Sequence, residues 1–476
     1  MWMPDRDEGP PIYQQIADHI AQQISNGEFP PGSLLPSERK LADRFDVNRS
    51  TIVLAYSELR SLGIIISRPG SGTRVNPIHW SSEHHINWGQ FVENGHFSPT
   101  PAFIRRINEA LRHDQNLIDF ASGELSQQLS ASDELTLIMN YSSHTQHLGY
   151  DNPQGFEPLR EAVAQLLQEH QQIHTTSSSL LITSGSQQSL YLITHFLLSP
   201  GDAVAIEEPS YYYSLPMFHS AGLRVYKLPA GPNGLNPDEV RRLYKKHRIK
   251  MLFINPFFQN PTGSCLSQEH RTALLNLAGE LGLPIVEDDP YSLTSFDSNV
   301  PRSLKSIDTV GSVLYISSLS KIAAAGLRIG WLAAPSSVID RLAEARQQMD
   351  FGHSIVTEAV ASQFIASTYF LPHIQRLRIQ LQYKRDMLIE ALNKELHGLI
   401  SFDVPSGGIH LWCKIIPSFQ EHKLLEEAIR QGVVYVPGSV YGSDPSYVRF
   451  TFARPASEQI ATGISKFAAA LRTVIS

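Results

Sequence analysis

Isoleucines at positions 12, 16, 20 and 24 recur every four residues through "PIYQQIADHIAQQISN". That spacing places them on one face of a helix. "GEFPPGSLL" interrupts the pattern. Ser37 is then positioned to cap a second, short helix whose inner face holds Leu41 and Phe45. Asn48 is positioned to cap a third, with Ile52, Tyr56 and Leu59 facing inward. "GIIISRPGSGTRVN" reads as a β run, a Pro/Gly/Ser turn and a second β run. Three helices followed by a hairpin predict a winged helix-turn-helix. Residues 77–88 lack periodicity and read as a linker.

The pattern changes beyond it. "SPTPAFIRRINEALRH" is expected to form a helix of a second domain. From about residue 118, strand-like runs alternate with helical stretches: "LLIT", "AVAIEE", "RVYKL", "MLFIN", "PIVEDD" and "VLYISS". Such alternation predicts a mostly parallel α/β sheet covered by helices. Residues from about 366 to 476 predict a smaller α+β lobe, with a long helix near 370–395 and strands in "GGIHLWCKI", "VVYVPG" and "YVRFTFA". The expected organisation is therefore 1–76, a linker at 77–88, and 89–476.

Composition narrows the class. A chain of 476 residues exceeds one ordinary domain. Hydrophobic content of 42% with 18% charged residues describes a globular protein with a substantial core. The net charge of −7 argues against a protein that coats nucleic acid indiscriminately. Locally the balance reverses: residues 30–76 hold seven Lys/Arg against four Asp/Glu, or +3. Two cysteines, Cys265 and Cys413, make neither a disulfide framework nor a zinc site, so a reducing cytoplasm is expected. "MWMPDRDEGPP" does not read as a signal peptide, and no apolar run is long enough for a membrane span.

The second and third helices are joined by "DVN". In a helix-turn-helix the second of such a pair enters the major groove. Its first residues here are Arg49, Ser50 and Thr51. An arginine can make a forked contact to guanine, and hydroxyls reach phosphates or bases. Arg39 opens the preceding helix, where a cation can reach the backbone. The turn "RPGSGTR" offers Arg68 and a glycine-rich chain that can approach a groove. Residues 11–76 resemble the GntR-type winged-helix DNA-binding domain, most strongly in "LPSERKLADRFDVNRSTIVLAYSEL" and "RPGSGTRV". The resemblance implies DNA contacts from Arg39, Arg49, Ser50, Thr51 and Gly70.

Lys321, in "SSLSKIAAAGLRIG", follows a strand-like run. A lysine that bonds an aldehyde must lose its proton, which burial and neighbouring cations favour. Taken alone it is an ordinary charge, but its companions fit pyridoxal phosphate. Asp288 in "VEDDPY" can hold the ring nitrogen protonated. Tyr291, and Asn260 in "NPTG", can donate to the phenolic oxygen. "TSGSQQSL" opens a helix whose backbone amides suit a phosphate. Ser318 and Arg328 can complete that cradle. Tyr211 in "EEPSYYY" offers a ring face.

Residues 88–476 resemble the fold-type I aminotransferases in this ordered set. The resemblance implies that Lys321 carries the cofactor, that Asp288, Asn260, Tyr291 and Tyr211 hold its ring, and that Ser186, Gln187, Ser318 and Arg328 hold its phosphate. Tyr150 in "GYDNPQG" is implied to reach the phosphate in the partner subunit of a homodimer. Arg449 in "YVRFTF" is implied to grip a ligand α-carboxylate, with Gly123 in "ASGEL" lining the ligand. Glu124-Leu125 departs from many relatives, which have proline and an acid after that glycine. Tyr212 and Tyr213 read equally as pocket-lining and as ordinary aromatics.

Together the two halves resemble the MocR subfamily of bacterial regulators. The resemblance implies a pyridoxal-phosphate-dependent transcription regulator that binds a double-stranded DNA operator and senses an amino acid, an amine or the cofactor itself. A working aminotransferase, converting an amino acid with a 2-oxoacid acceptor, is the alternative.

Overall fold

The computed structural model describes residues 2–5, 10–68, 72–77, 100–141, 149–231, 234–297 and 302–475, without the side chains of Arg68 and Tyr141. The chain forms two units, Met1–Phe97 and Ser98–Ser476. The linker expected at 77–88 lies, apart from Pro77, outside the described residues, as does Gly70.

In the first unit, α1 (Ile12–Ser25) buries Ile16, Ile20 and Ile24, as their spacing predicts. α2 (Glu38–Phe45) turns Leu41 and Phe45 inward, and α3 (Arg49–Ser61) adds Ile52, Ala55, Tyr56 and Leu59 to the same core. The Ser37 hydroxyl accepts the Lys40 amide at 3.4 Å and caps α2. Asn48 stands at the N-cap of α3, but its side chain makes no capping bond. The Thr51 amide that it would take already donates to the Asn48 backbone carbonyl, at 2.9 Å. β1 (Ile65–Arg68) and β2 (Gly72–Val75) pair antiparallel, in the register Ile65 opposite Val75. The Tyr56 hydroxyl donates to the Pro36 carbonyl at 2.6 Å and ties α3 to the segment entering α2. Tyr56→Phe should remove about 1 kcal/mol. Amide exchange across α1–α3 in the full chain would then rise roughly fivefold, read by mass spectrometry.

The second unit begins its β structure with β3 (Ile118–Asp119), then β4 (Leu180–Thr183), β5 (Ala203–Glu208), β6 (Arg224–Gly231), β7 (Gly234–Leu235), β8 (Met251–Ile254), β9 (Ile285–Asp288), β10 (Val313–Ser318) and β11 (Gly330–Ala333). Eight of these form one sheet in the order β4-β11-β10-β9-β8-β5-β6-β7. The run β10-β9-β8-β5-β6 is parallel, which explains strands that are apolar almost throughout. β11 is antiparallel to both neighbours and was not anticipated. It follows β10 through two short 3-10 turns, so no crossover helix announces it.

The expected smaller sheet consists of β12 (Ile400–Phe402), β13 (His410–Ile415), β15 (Val436–Pro437) and β16 (Tyr447–Thr451), in the order β12-β13-β16-β15, all antiparallel. β14 (Val433–Val434) leaves it to pair with β3 in parallel. That pairing brings the segment leading to Gly123 beside the small sheet. The expected long helix spans Phe370–Leu396. No helix among the described residues is long and apolar enough to cross a membrane.

Candidate functional site

The parallel strands of the large sheet deliver their C-terminal ends to one edge, where open α/β sheets form clefts. Asp288 ends β9 and Ser318 ends β10. The 3-10 turn Leu319–Lys321 follows directly. After β4, Ser184 and Gly185 lead into the helix Ser186–Phe196. After β8, the segment reaching Asn260 turns back over the edge. These ends, with Gly123 and the β13–β16 face of the small sheet, line a cavity of about 500 Å³.

Within "EDD" the structure separates three acids of similar burial. Glu287 accepts the Leu304 and Lys305 amides at 2.9 and 2.8 Å. Asp289 accepts the Ser292 amide at 2.8 Å and the Tyr315 hydroxyl at 3.0 Å. Asp288 alone lines the cavity, and its Oδ1 is buried without a partner. Burial, and then Asp289, push its carboxyl up to about 7, while Lys321 and the Ser186 hydroxyl pull the other way. A cationic N–H donor placed there would satisfy it.

Lys321 donates from Nζ to the Gly123 carbonyl. Burial pulls its ammonium down to about 8; Arg449 and Arg328 push the same way, and Glu124 and Asp288 oppose them. The Tyr211 hydroxyl accepts from Gln187 Nε2 at 2.9 Å, and the Tyr211 amide donates to the Asn260 carbonyl at 2.9 Å. Arg328, at φ +54°, donates to the Ser184 carbonyl at 2.7 Å. Gly185 has φ +83°, and a Cβ there would lie 2.8 Å from Arg328 Nη2. Only glycine leaves that cradle open. Ser318 accepts the Ser320 amide at 3.4 Å.

Arg449, on β16, crosses to the other side of the cavity. Nη1 donates to Asn260 Oδ1 at 3.2 Å, Nη2 donates to the Ala121 carbonyl, and Nε is buried without a partner. With Oδ1 so engaged, the Asn260 Nδ2 donor is left for the cavity. The Tyr291 hydroxyl meets His410 Nε2 at 3.2 Å. His410 was not singled out in the sequence. It lies on the β13 face that also carries Trp412 and Lys414, yet it is buried, and burial with Arg449 and Lys321 holds it well below the usual imidazole range. A histidine directly after "GGI" on the polar phase of a strand is the signal that was available. Tyr441, also missed, presents its ring 5.3 Å from the Arg449 guanidinium.

Tyr150 stands apart. It is 84% exposed, lies 5.7 Å from the Phe351 ring and lines a second cavity, away from this chain's Lys321. Tyr212 is both buried and part of the cavity lining, and its hydroxyl donates to the Ile254 carbonyl at 3.1 Å. Tyr213 is exposed beneath the Lys227 ammonium.

On the first unit, Arg39, Arg49 and Ser50 are exposed and Thr51 is half-buried. Arg49 donates to Glu38 Oε2 from Nε at 3.1 Å and from Nη2 at 2.8 Å. The Arg68 side chain and Gly70 lie outside the described residues.

Residues 12–75 match the family described as "Bacterial regulatory proteins, gntR family", and residues 115–467 match "Aminotransferase class I and II". The uncharacterized HTH-type transcriptional regulator YdfD of Bacillus subtilis (strain 168) is 37% identical over 459 residues, covering 95% of each chain. The HTH-type transcriptional regulator NorG of Staphylococcus aureus (strain USA300) is 30% identical over 439 residues, covering 91% of this chain and 98% of its own. Among solved structures, kynurenine aminotransferase of Pyrococcus horikoshii, in complex with PMP, aligns with a TM-score of 0.74 at 28% identity, over 80% of this chain and 98% of that one. LysN, the alpha-aminoadipate aminotransferase of Thermus thermophilus, complexed with N-(5'-phosphopyridoxyl)-L-leucine, gives 0.73 at 27%, over 82% and 99%. A GntR helix-turn-helix followed by a fold-type I aminotransferase domain, shared with named regulators along nearly their whole length, places this chain in the MocR group of GntR-type transcription regulators.

Proposed function

We propose that the chain binds pyridoxal phosphate in the cavity of its second unit and regulates transcription in response to a small amine-bearing ligand. The observation that carries this is the pairing of a buried, unpartnered Asp288 oxygen with a lysine lowered to about 8 in one cavity, in a chain that opens with a DNA-binding fold. When bound, the cofactor supplies an aldehyde and an electron sink. Lys321 holds it covalently and Asp288 keeps a proton on its ring nitrogen. Asn260 and Tyr291 donate to its phenolic oxygen, and Tyr211 lies against its ring. Ser186, Gln187, Ser318 and Arg328 take its phosphate. Tyr150 reaches the site of the partner in a homodimer.

Arg449 takes the ligand carboxylate beside Gly123. Its guanidinium spans from β16 to Asn260 and Ala121. A carboxylate that displaces those partners alters what joins the small sheet to the large one. That is the differential binding a switch requires. Residues 1–76 carry DNA through Arg39, Arg49, Ser50, Thr51, Arg68 and Gly70; residues 77–88 link them to the ligand-binding lobe, in a cytoplasmic protein.

The test is a genomic-fragment pull-down with cofactor-loaded protein, followed by operator affinity and absorbance across a panel of amino acids and amines. Altered affinity with a spectral change and no turnover supports regulation by a ligand. Affinity that responds only to cofactor makes the cofactor itself the signal. Rapid conversion of amino acid to keto acid, with DNA affinity unchanged, favours the aminotransferase reading, which rests on the same intact cavity. Arg49→Ala should weaken operator binding by roughly 1–3 kcal/mol if the arginine reads a base. An unchanged affinity removes Arg49 from the contact set.

A further inference from the structure

α3 carries two exposed aliphatic residues, Val53 and Leu54, among the serines of its outward face. Ile52, Ala55, Tyr56 and Leu59 fill its inward stripe. At about 100° per residue, Ser50, Leu54 and Ser57 project opposite that stripe and Val53 lies beside them. Val53 is 38% exposed and Leu54 is 54% exposed. Arg49 and Arg60 flank the Val53 side, and half-buried Glu58 flanks the other. Val53 stands one turn beyond Arg49, and Leu54 one turn beyond Ser50. Isolated exposed aliphatics are common and need no explanation. Two adjacent ones, bordered on one side by Arg49 and Arg60 on the helix that would enter the groove, suit an anionic surface with apolar groups on its floor. In the major groove only thymine offers such a group, its C5 methyl.

We propose that Val53 and Leu54 are specificity-determining residues that read thymine methyls. This rests on the reading of α3 as the groove helix. Arg49 and the serines supply polar contacts from the first turn, and the aliphatic pair selects T·A pairs at the next step along the site.

The experiment uses the full-length, cofactor-loaded chain. Tight-binding duplexes are first selected from a random library, and each thymine in a selected half-site is then replaced singly by uracil, which removes only the methyl. At one or two positions per half-site, uracil should weaken wild-type binding roughly three- to tenfold. At each such position the penalty should shrink in Val53→Ala or in Leu54→Ala, whose exposed positions leave the core intact. Uracil tolerated at every position overturns the inference while leaving DNA binding in place; the aliphatic pair then serves another surface. A penalty that persists undiminished in both variants assigns the methyl contact elsewhere and also overturns it. Selection that enriches no sequence at all removes the DNA-binding reading beneath it.

Discussion

Lys321→Ala yields a folded chain that takes up no covalently held cofactor. Borohydride treatment of the wild type should fix one cofactor per chain at position 321, and the variant should show neither the added mass nor the visible absorbance. The reason is local. Lys321 closes a 3-10 turn at the end of β10, pinned between the Gly123 carbonyl and the cavity. Burial, aided by Arg449 and Arg328, brings its ammonium to about 8 from an ordinary 10.5. At pH 7 such an amine is about one-tenth neutral, against roughly one part in three thousand for a solvated lysine. Capture should therefore accelerate about tenfold per pH unit up to about 8 and then level off. Stability follows the same group. Between about 8 and 10.5 the unfolded chain holds a proton that the folded chain has released, so the cofactor-free fold gains stability as pH rises through that window. Lys384, also lowered to about 8 by burial, contributes a similar slope. The difference between wild type and Lys321→Ala isolates the part due to Lys321. Full absorbance in the variant, or borohydride fixation at another lysine, would refute the assignment.

Much of this geometry could be read from residue order because it depends on strand ends. Asp288 and Lys321 each stand at or just beyond the end of an apolar run, and parallel strands must bring such ends to one edge. The stripe of α1 was equally plain, since every-fourth spacing leaves few alternatives to a helix. What escaped notice depends on distance along the chain or on backbone detail. β11 lacks the helix that would mark a crossover and joins β10 by short turns. His410 is 119 residues from Tyr291, and only the docking of the small sheet brings them together. Asn48 is a good capping residue by type, but the tight first turn of α3 satisfies the Thr51 amide with a backbone carbonyl. Asp288 was named within "EDD" from the sequence, but what sets it apart from its two neighbours is not local. It emerges when Glu287 and Asp289 are seen to be occupied by amides and a tyrosine hydroxyl.

Arg449→Ala should weaken ligands that carry an α-carboxylate by about 2–5 kcal/mol, roughly thirty- to several thousandfold in affinity. The guanidinium is buried, held from one side by Asn260 and Ala121, and has a buried Nε with no partner. A carboxylate could pair with it bidentately, and truncation would leave that carboxylate desolvated without a cation. The matching decarboxylated amines should bind both proteins within about threefold, because they never engage the fork. Scored by cofactor absorbance over amino acids and their amines, this contrast separates carboxylate recognition from general damage. Arg449→Lys supplies a charge without the fork and should recover only part of the loss. The two large effects are also coupled. Arg449 is one of the cations that lower Lys321 and His410. Removing it should move the midpoint of cofactor capture upward from about 8, whereas Arg449→Lys should hold it closer to the wild-type value. Equal weakening of amino acids and amines, with the capture midpoint unmoved, would show that Arg449 only braces β16 against the large sheet.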